Sequence, residues 1–215
     1  MSLDNTNNNL NRNVQNKTIN KDKKPLFHSV IPKHSKKVFS GILFDVYHWE
    51  QEQFDGTYKT FEALKRLPSV QIIAKTIAGK FVILKEQQPQ DKEVGYSLIG
   101  GGCDYEDEPA ENGARRELLE ETGMVCEELE LLEVTHPGGK IDWPCYYFLA
   151  HNCEIIQEQN LDSGEKIEVL EVDFEEFLDI VEEEHFRNKY FSNYLFRILH
   201  TPDKFKALKE KLKIN

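Results

Sequence analysis

The chain has 215 residues, of which 39% are hydrophobic and 30% are charged, a composition typical of one globular domain with an ionic surface. No stretch approaches the ~20 consecutive apolar residues that a transmembrane helix needs, and the N-terminus lacks the apolar segment of a secretory signal. These features exclude a membrane-spanning helix and predict a cytoplasmic protein.

Charge is divided unevenly along the chain, whose net charge is −11. Residues 1–37 carry eight Lys or Arg against two Asp, whereas residues 38–215 carry nineteen against thirty-six acids. Basic surfaces bind nucleic acids, so this acidic body disfavours nucleic acid as a partner. The four cysteines form no CxxC pair, which predicts free thiols in a reducing compartment.

The N-terminal part of the chain predicts a tail followed by a β-segment. Residues 1–36 form an Asn- and Lys-rich tail that is poor in large apolar side chains, so we expect it to be disordered. Residues 37–67 alternate polar and apolar side chains around the turn signal DGTY, which predicts an N-terminal β-segment that contains a hairpin.

Residues 68–183 form the predicted core. The sequence SVQIIAKTIAGKFVILKEQ predicts two strands joined by a turn, and a helix, two further strands and the short helix DFEEFLDIV follow. Residues 184–215 predict a C-terminal helix with a core-packing stripe formed by Phe186, Tyr190, Tyr194 and Ile198. This order predicts an α/β fold, an α+β sandwich in which a mixed β-sheet is packed between helices.

The stretch GGCDYEDEPAENGARRELLEETGM, residues 101–124, is dense in acidic side chains. Pro109 suits the N1 position of a helix, the acids before it favour the positive end of the helix dipole, and Gly123 suits the C′ position. These signals predict a helix over residues 109–122. Its apolar stripe consists of Ala110, Ala114 and Leu118.

Three carboxylates project to nearly the same side of this helix, because Glu117, Glu120 and Glu121 are spaced at helical intervals. A pair between Arg116 and Glu120 offsets part of their repulsion. Such a face is either a solvated surface or a site for Mg²⁺, which prefers oxygen ligands and which Mn²⁺ can replace. The glycines of IGGGCD favour the metal site, because they let the backbone approach a ligand closely.

The same stretch resembles the signature of the Nudix hydrolases: a Gly, five residues, Glu, seven residues, Arg-Glu, an aliphatic residue, any residue, Glu-Glu, any residue, Gly and an aliphatic residue. Every specified position is matched, by Gly102, Glu108, Arg116, Glu117, Leu118, Glu120, Glu121, Gly123 and Met124. The resemblance implies a pyrophosphohydrolase that acts on a nucleoside diphosphate linked to another moiety.

The resemblance also implies a metal centre. The family's ligands correspond to Glu117 and Glu121, with Glu120 assisting, and the main-chain carbonyl of Gly101 is the further ligand that we expect. The implied cofactor is Mg²⁺, with Mn²⁺ as a substitute.

Other positions of the motif have implied catalytic or structural roles. Arg116 and Glu120 belong to the implied catalytic set, and Gly102 and Gly123 shape the motif. The resemblance implies that Arg116 and Glu108 form a salt bridge that anchors the loop to the helix. The alternative for Glu108 is a role as a partner of the helix dipole.

A weaker resemblance, over about residues 38–183, is to the ADP-ribose and nucleotide-sugar pyrophosphatases. It implies a homodimer formed with the help of the N-terminal β-segment, and a small-molecule nucleoside diphosphate substrate. It also implies a late catalytic carboxylate, which corresponds to Glu165. This residue would be the general base that deprotonates the attacking water, and Glu168 on the next strand is the alternative.

The chain departs from that subfamily at two places. It has LIGGG at residues 98–102 where the subfamily commonly has Glu-Leu-Pro-Ala-Gly, and EQQPQ at residues 86–90 where the subfamily often has an Arg. The absent Glu and Arg would help to hold ADP-ribose, so both ADP-ribose and nucleotide sugars stay open as substrates.

Three residues are candidate substrate contacts: Trp49, Gly102 and His136. The ring of Trp49 is suited to stack on a base, or else to pack in the core or a dimer interface. His136 is suited to contact a base or sugar, or else to hydrogen-bond within its loop.

The leading hypothesis is Mg²⁺-dependent hydrolysis of the pyrophosphate bond in a nucleotide sugar or ADP-ribose. The alternatives are a catalytically silent nucleotide-binding sensor with the same fold, and an RNA-end pyrophosphohydrolase.

Overall fold

The computed structural model describes residues 28–214. Its strands are β1 (Lys36–Ser40), β2 (Asp45–Glu52), β3 (Tyr58–Lys65), β4 (Ser69–Thr76), β5 (Phe81–Gln87), β6 (Gly95–Ser97), β7 (Met124–Val125), β8 (Glu128–Thr135), β9 (Ile141–Asp142), β10 (Cys145–Ile155) and β11 (Lys166–Val172). Its helices are α1 (Ala110–Thr122), α2 (Phe174–Glu182), α3 (Lys189–Leu199) and α4 (Pro202–Lys211). None of these helices is long and apolar enough to cross a membrane.

The N-terminal β-segment forms a sheet with the order β1-β2-β3-β9. β2 and β3 pair antiparallel around the predicted turn, where the carboxylate of Asp55 accepts the backbone N–H of Thr57 at 3.0 Å. β9 pairs parallel with the end of β3, with Leu64 opposite Ile141. Because β9 directly precedes β10, this pairing ties the N-terminal sheet to the core.

The core sheet has the order β11-β5-β4-β10-β7, with β6 paired to β5 and β8 paired to β10. β4 and β10 are parallel, whereas β11 and β8 run antiparallel to their neighbours, so the sheet is mixed. Helix α1 packs on one face through Ala114 and Leu118. Helices α2, α3 and α4 cover the other face through side chains that include Phe177 and Leu195. The predicted fold, a mixed sheet packed between helices, is confirmed.

The predicted C-terminal helix over residues 184–215 is two helices, α3 and α4, preceded by a non-helical segment. The break falls at Thr201, which has an extended backbone and precedes Pro202. Proline disfavours helical backbone in the residue before it, and this explains the break. Phe186 is buried but lies before α3, where it forms a parallel β-bridge with Tyr96 of β6.

The predicted tail falls largely outside the described residues, since residues 1–27 are not described. In the described part, the hydroxyl of Ser29 donates a hydrogen bond to the carboxylate of Asp142. The disordered tail and the boundaries after residues 36, 67 and 183 stay predictions.

The acidic helix α1 begins one residue later than predicted, because Pro109 occupies the N-cap and Ala110 is the first helical residue. Gly123 ends the helix in a left-handed conformation with φ of +69°, and its N–H donates to the carbonyl of Leu119 at 2.8 Å. The carbonyl of Gly123 accepts the N–H of Ile156 at 2.9 Å, so the end of the helix is fastened to the chain after β10.

We expect Gly123→Ala to destabilise the fold by more than ~2 kcal/mol. An added Cβ would lie 2.1 Å from the carbonyl oxygen of Gln157, in a backbone conformation that alanine disfavours. Gly79→Ala is the matched control, because Gly79 has φ of +83° but an added Cβ would meet only the flexible Lys75 side chain at 3.8 Å. Urea unfolding should show a loss of only ~1 kcal/mol for the control. Equal losses would contradict this account of the helix end.

Candidate active site

Helix α1 turns its glutamates toward the loop that precedes it. Glu117 and Glu121 are buried, with 9% and 6% of their surface exposed, whereas Glu120 is half-buried. The carboxylate of Glu121 accepts the backbone N–H of Gly100 at 2.7 Å. The alternative of a merely solvated acidic face is therefore wrong for Glu117 and Glu121.

Gly101 lies directly against Glu117. A Cβ atom at Gly101 would be 2.4 Å from Glu117 Oε1, so a larger residue here would displace the carboxylate of Glu117. The carbonyl of Gly101 accepts the N–H of Val70 in β4 at 2.9 Å, which fixes the loop to a central strand. A carbonyl oxygen has two lone pairs, so one lone pair of this oxygen is left for another ligand.

Burial makes the two inner carboxylates costly to ionise. It raises the pKa of Glu117 to about 7 and the pKa of Glu121 to about 9, and neighbouring negative charges add to both shifts. The guanidinium of Arg116 opposes the shift for Glu117, while the N–H of Gly100 opposes it for Glu121. A positive charge would stabilise both ionised carboxylates, so the site is suited to bind a cation.

Arg116 connects the acidic face to the loop. Its Nη1 donates to Glu117 at 2.9 Å and to Glu120 at 3.0 Å, and its Nη2 donates to the carbonyl of Gly102 at 2.7 Å. The Arg116–Glu120 pair expected from the spacing is present. Although burial opposes it, the charge of Glu117 and the hydrogen bonds to Glu120 and Glu117 raise the pKa of Arg116 above its ordinary value.

The expected salt bridge between Arg116 and Glu108 is present, although it is the longer of two ionic contacts at Arg116 Nε. The distance from Arg116 Nε to Glu108 Oε1 is 3.9 Å, and Asp104 lies closer to the same Nε at 3.3 Å. Glu108 Oε2 accepts the N–H of Asp104 at 2.6 Å, so this buried carboxylate mainly closes its own loop. The hydrogen bond from Arg116 to Gly102 is the stronger link between loop and helix.

Glu165 lies on the loop between β10 and β11 and faces the same acidic site. Its carboxylate accepts the N–H of Asp162 at 3.2 Å. Partial burial raises the pKa of Glu165, and the charge of Glu165 in turn raises the pKa of Glu117 and Glu121. Glu165 and the acids of α1 therefore lie close enough for their charges to interact.

The alternative residue, Glu168, faces elsewhere. It is exposed on β11 and forms an ion pair with Lys85 at 3.1 Å. Of the two candidate bases, Glu165 is therefore the one that lies near the acids of α1.

Glu86 is a site residue that the sequence analysis missed. Glu86 is 9% exposed, and its carboxylate forms an ion pair with Arg187 Nε at 2.9 Å. Its negative charge raises the pKa of Glu121 and of Glu165. Alternate residues of a strand share a face, and Glu86 follows the buried Leu84 by two positions. The sequence therefore did contain a signal that Glu86 is a buried charge.

Trp49 and His136 remain predictions as substrate contacts. Trp49 is 9% exposed in the N-terminal sheet, with its ring edge-on to Phe61 at 5.8 Å and its Nε1 donating to Gln51 at 3.0 Å. This burial favours the packing alternative for Trp49. His136 is exposed in the loop between β8 and β9.

The donor set fits a hard divalent cation. Within residues 28–214, no three side chains of the His, Cys, Asp and Glu types are grouped closely enough to enclose an ion by themselves. Mg²⁺ usually takes only one or two carboxylates and completes its coordination with water and substrate phosphate. Glu117 and Glu121, beside the carbonyl of Gly101, provide such a partial set of oxygen donors.

Comparison with known proteins identifies the family of this chain. The NUDIX domain matches residues 65–194, which is more than half of the chain. The chain belongs to the Nudix family and is a Nudix hydrolase, as the motif predicted. A catalytically silent protein is therefore the weaker alternative.

Individual relatives agree with this assignment. The chain is 31% identical over 150 residues to the ADP-ribose pyrophosphatase of Bacillus subtilis (strain 168), covering 68% of this chain and 80% of that protein. It is 25% identical over 154 residues to the methanol dehydrogenase activator of Bacillus methanolicus, covering 69% of this chain and 81% of that protein. A crystal structure of an ADP compounds hydrolase superposes with a TM-score of 0.64 at 18% identity, covering 88% of this chain and 98% of the other, and shows the same fold.

We expect the stability of the metal-free protein to fall as the pH rises from about 5 to about 9. The folded-state pKa of Glu121 is about 9 and its ordinary value is 4.5, so over this range the unfolded state loses a proton that the folded state keeps. Glu121→Gln removes this term, so its melting temperature in EDTA should exceed that of the wild type by roughly 5 °C at pH 8.5 and by much less at pH 5.5.

The control for this experiment is Glu168→Gln, which changes an exposed carboxylate on β11. It should keep the wild-type dependence of melting temperature on pH. If the melting temperature of Glu121→Gln depended on pH as that of the wild type does, the carboxylate of Glu121 would not be the source of the pH dependence.

Proposed function

We propose that this Nudix hydrolase cuts the pyrophosphate bond of a nucleoside diphosphate derivative, either ADP-ribose or a nucleotide sugar. The products would be a nucleoside monophosphate and a sugar phosphate. The observation that carries the proposal is the burial of Glu117 and Glu121 against the backbone of the Gly-rich loop. The similarity to an ADP-ribose pyrophosphatase supports ADP-containing substrates first.

We infer that Mg²⁺, or Mn²⁺ in its place, is bound by Glu117, Glu121 and the carbonyl of Gly101, with Glu120 assisting. When bound, the cation would neutralise charge on the substrate phosphates and lower the pKa of water. Its positive charge would also offset the cost of ionising the buried carboxylates.

The residues around this centre have complementary roles in the proposal. Arg116 orients Glu117 and Glu120 by donating to both carboxylates. Glu165 accepts the proton of the water that attacks a phosphorus, a role that its loop position and raised pKa suit. Glu86 lies close enough to raise the pKa of Glu121, and its pairing with Arg187 limits its contribution to the negative field at the cation site.

The two departures from the ADP-ribose enzymes bear on the choice of substrate. Leu98 is buried, and its N–H is already engaged because it donates to Asn188 at 2.7 Å. Pro89 packs near Gly164, with an added Cβ of that glycine 3.8 Å from its ring. Neither position supplies a charged group, so recognition of the sugar would depend on other contacts, for which Trp49, Gly102 and His136 stay candidates.

We also propose a cytoplasmic homodimer that pairs through the N-terminal sheet. Apolar side chains are exposed on and around it: Val38, Phe39, Ile42, Leu43, Phe54 and Tyr58. Exposed apolar patches of this kind often mark protein interfaces. Sedimentation of the wild type at micromolar concentration would show the dimer, and a monomer at all concentrations would contradict it.

A substrate panel tests the reaction. We would measure product release from ADP-ribose, ADP-, UDP- and GDP-sugars and capped RNA, with Mg²⁺ and with EDTA. Hydrolysis of one free nucleotide class that requires Mg²⁺ is the expected result. Cutting of capped RNA alone would favour the RNA-end alternative, and no turnover of any substrate would contradict the proposal.

Variants then separate the roles of the acids. Glu117→Gln and Glu121→Gln should lower kcat/KM by at least ~10³, because each removes a proposed metal ligand. Glu165→Gln should lower kcat by ~10²–10⁴ while leaving the Mg²⁺ concentration for half-maximal activity unchanged, because it removes only the general base. Glu168→Gln is the control and should retain wild-type activity. If Glu168→Gln instead loses activity and Glu165→Gln keeps it, the assignment of the base is wrong.

A further inference from the structure

The Gly-rich loop, residues 98–102, begins where the chain changes its partner strand. β4 and β5 pair with each other next to their connecting turn. Farther from that turn, Ser97 of β6 is opposite Leu84 of β5. Two residues later, Ile99 is opposite Ile72 of β4. Leu98 stands between these two pairings, at the start of the loop.

Asn188, from the segment between α2 and α3, provides the hydrogen-bond acceptor at this point. Its Oδ1 accepts the N–H of Leu98 at 2.7 Å, and its Nδ2 donates to the side-chain oxygen of Gln71 in β4. A backbone N–H can only donate, so the oxygen of the amide must face Leu98 and its nitrogen must face Gln71. One side chain thus joins the start of the loop to a central strand of the sheet.

Helix capping does not explain the position of this side chain. Asn188 is the N-cap residue of α3, a position at which an Asn side chain commonly accepts an N–H of the first helical turn. Within residues 28–214, its side chain makes no such capping bond. The amide binds the loop and Gln71 although a stabilising bond to its own helix is available to this residue type.

The backbone that carries Asn188 is itself paired with β6. Phe186 forms the parallel bridge with Tyr96. The N–H of Tyr96 donates to the carbonyl of His185 at 3.1 Å, and the N–H of Arg187 donates to the carbonyl of Tyr96 at 2.8 Å. Asn188 therefore approaches the loop from a segment whose position along β6 is fixed.

The segment that Asn188 holds leads directly to the proposed metal centre. Two residues after Leu98, the N–H of Gly100 donates to Glu121 at 2.7 Å. The next residue, Gly101, has the carbonyl that we expect to bind the cation. β4 binds the carbonyls of this stretch, whereas Asn188 and Glu121 accept its N–H groups.

We propose that Asn188 is a positioning residue for the metal centre. By accepting the N–H of Leu98, it fixes the direction in which the backbone enters the loop, and with it the N–H of Gly100 and the carbonyl of Gly101. Asn188 acts through the loop and is not itself a ligand. The inference rests on the proposed function, because it presupposes a cation at the carboxylates of α1.

Manganese binding tests this role without turnover. The protein is titrated with Mn²⁺ in the absence of substrate, and free Mn²⁺ is measured by electron paramagnetic resonance. Asn188→Leu removes both hydrogen bonds at a similar side-chain volume. The Kd for Mn²⁺ should rise about three- to tenfold, less than after loss of a group that touches a metal ligand directly. Asn188→Ala removes the same bonds without a bulkier side chain and provides the test if Asn188→Leu does not fold.

A conservative variant should restore the binding. Asn188→Asp keeps an acceptor for the N–H of Leu98, and the amide of Gln71 can turn to donate to the new carboxylate. All titrations are made in roughly 0.5 M KCl, which screens the added charge. The Kd of Asn188→Asp for Mn²⁺ should then be close to that of the wild type.

The matched control is Ser192→Ala, which also removes a hydrogen bond of α3. The hydroxyl of Ser192 donates to the carbonyl of Val181 at 2.8 Å, away from the Gly-rich loop. Ser192→Ala should lower the melting temperature and leave the Kd for Mn²⁺ unchanged. If Asn188 only stabilised the fold, its variants and this control would bind Mn²⁺ alike.

Three results would overturn the proposal. The first is an unchanged Kd in the folded Asn188→Leu or Asn188→Ala variant when the wild type binds Mn²⁺, which would leave the proposed metal centre in place. The second is an equal rise in Asn188→Asp or in Ser192→Ala, which would show that the bond to Leu98 is not the cause. The third is a wild type without Mn²⁺ binding that depends on Glu121, which would contradict the proposed function as well.

Discussion

The burial of negative charge at one face of α1 is the constraint on which the rest of this site depends. Ionised carboxylates with little access to water need positive charge or N–H donors nearby. The chain supplies Arg116 for Glu117 and the N–H of Gly100 for Glu121. These donors oppose the effect of burial only in part, so the pKa values of both carboxylates stay raised. A divalent cation is the simplest group that completes this compensation, so the features that weaken the metal-free fold are those that would bind the metal.

The core sheet gives this arrangement its rigidity. The Gly-rich loop is fixed to β4 through Val70, while Gly123 fastens the other end of α1 to the chain after β10. Glu86 comes from β5 and Glu165 from the loop before β11, and these two strands pair with each other. The acids of α1 and Glu86 lie on regular elements, and only Glu165 lies on a loop. That loop is held to α1 by the hydrogen bond from the N–H of Asn160 to the carbonyl of Glu120 at 2.9 Å.

The sequence predicted the site where local spacing determines geometry. Residues three and four apart must share a helix face, so the spacing of Glu117, Glu120 and Glu121 was enough to place them together. The glycines of the loop were expected to let the backbone approach a ligand, and in the structure Gly101 lies against the carboxylate of Glu117. The order of strands and helices likewise indicated the sandwich.

Features that depend on tertiary convergence could not be predicted in the same way. Glu86 approaches the site only because β5 lies between β11 and β4 in the core sheet. The position of Glu108 depends on the conformation of the irregular loop before α1, and the spacing of residues in the sequence does not predict that conformation. The break between α3 and α4 did have a local signal, because Pro202 disfavours helical backbone at Thr201. The helical spacing of the apolar residues nevertheless led to the prediction of one continuous helix.

Anomalous diffraction from crystals soaked in Mn²⁺ would test the central claim most directly. The account predicts a peak within coordination distance of the carboxylates of Glu117 and Glu121 and the carbonyl of Gly101, and its loss in Glu121→Gln. A peak elsewhere, or an unchanged peak in that variant, would contradict the view that the buried carboxylates form the metal centre.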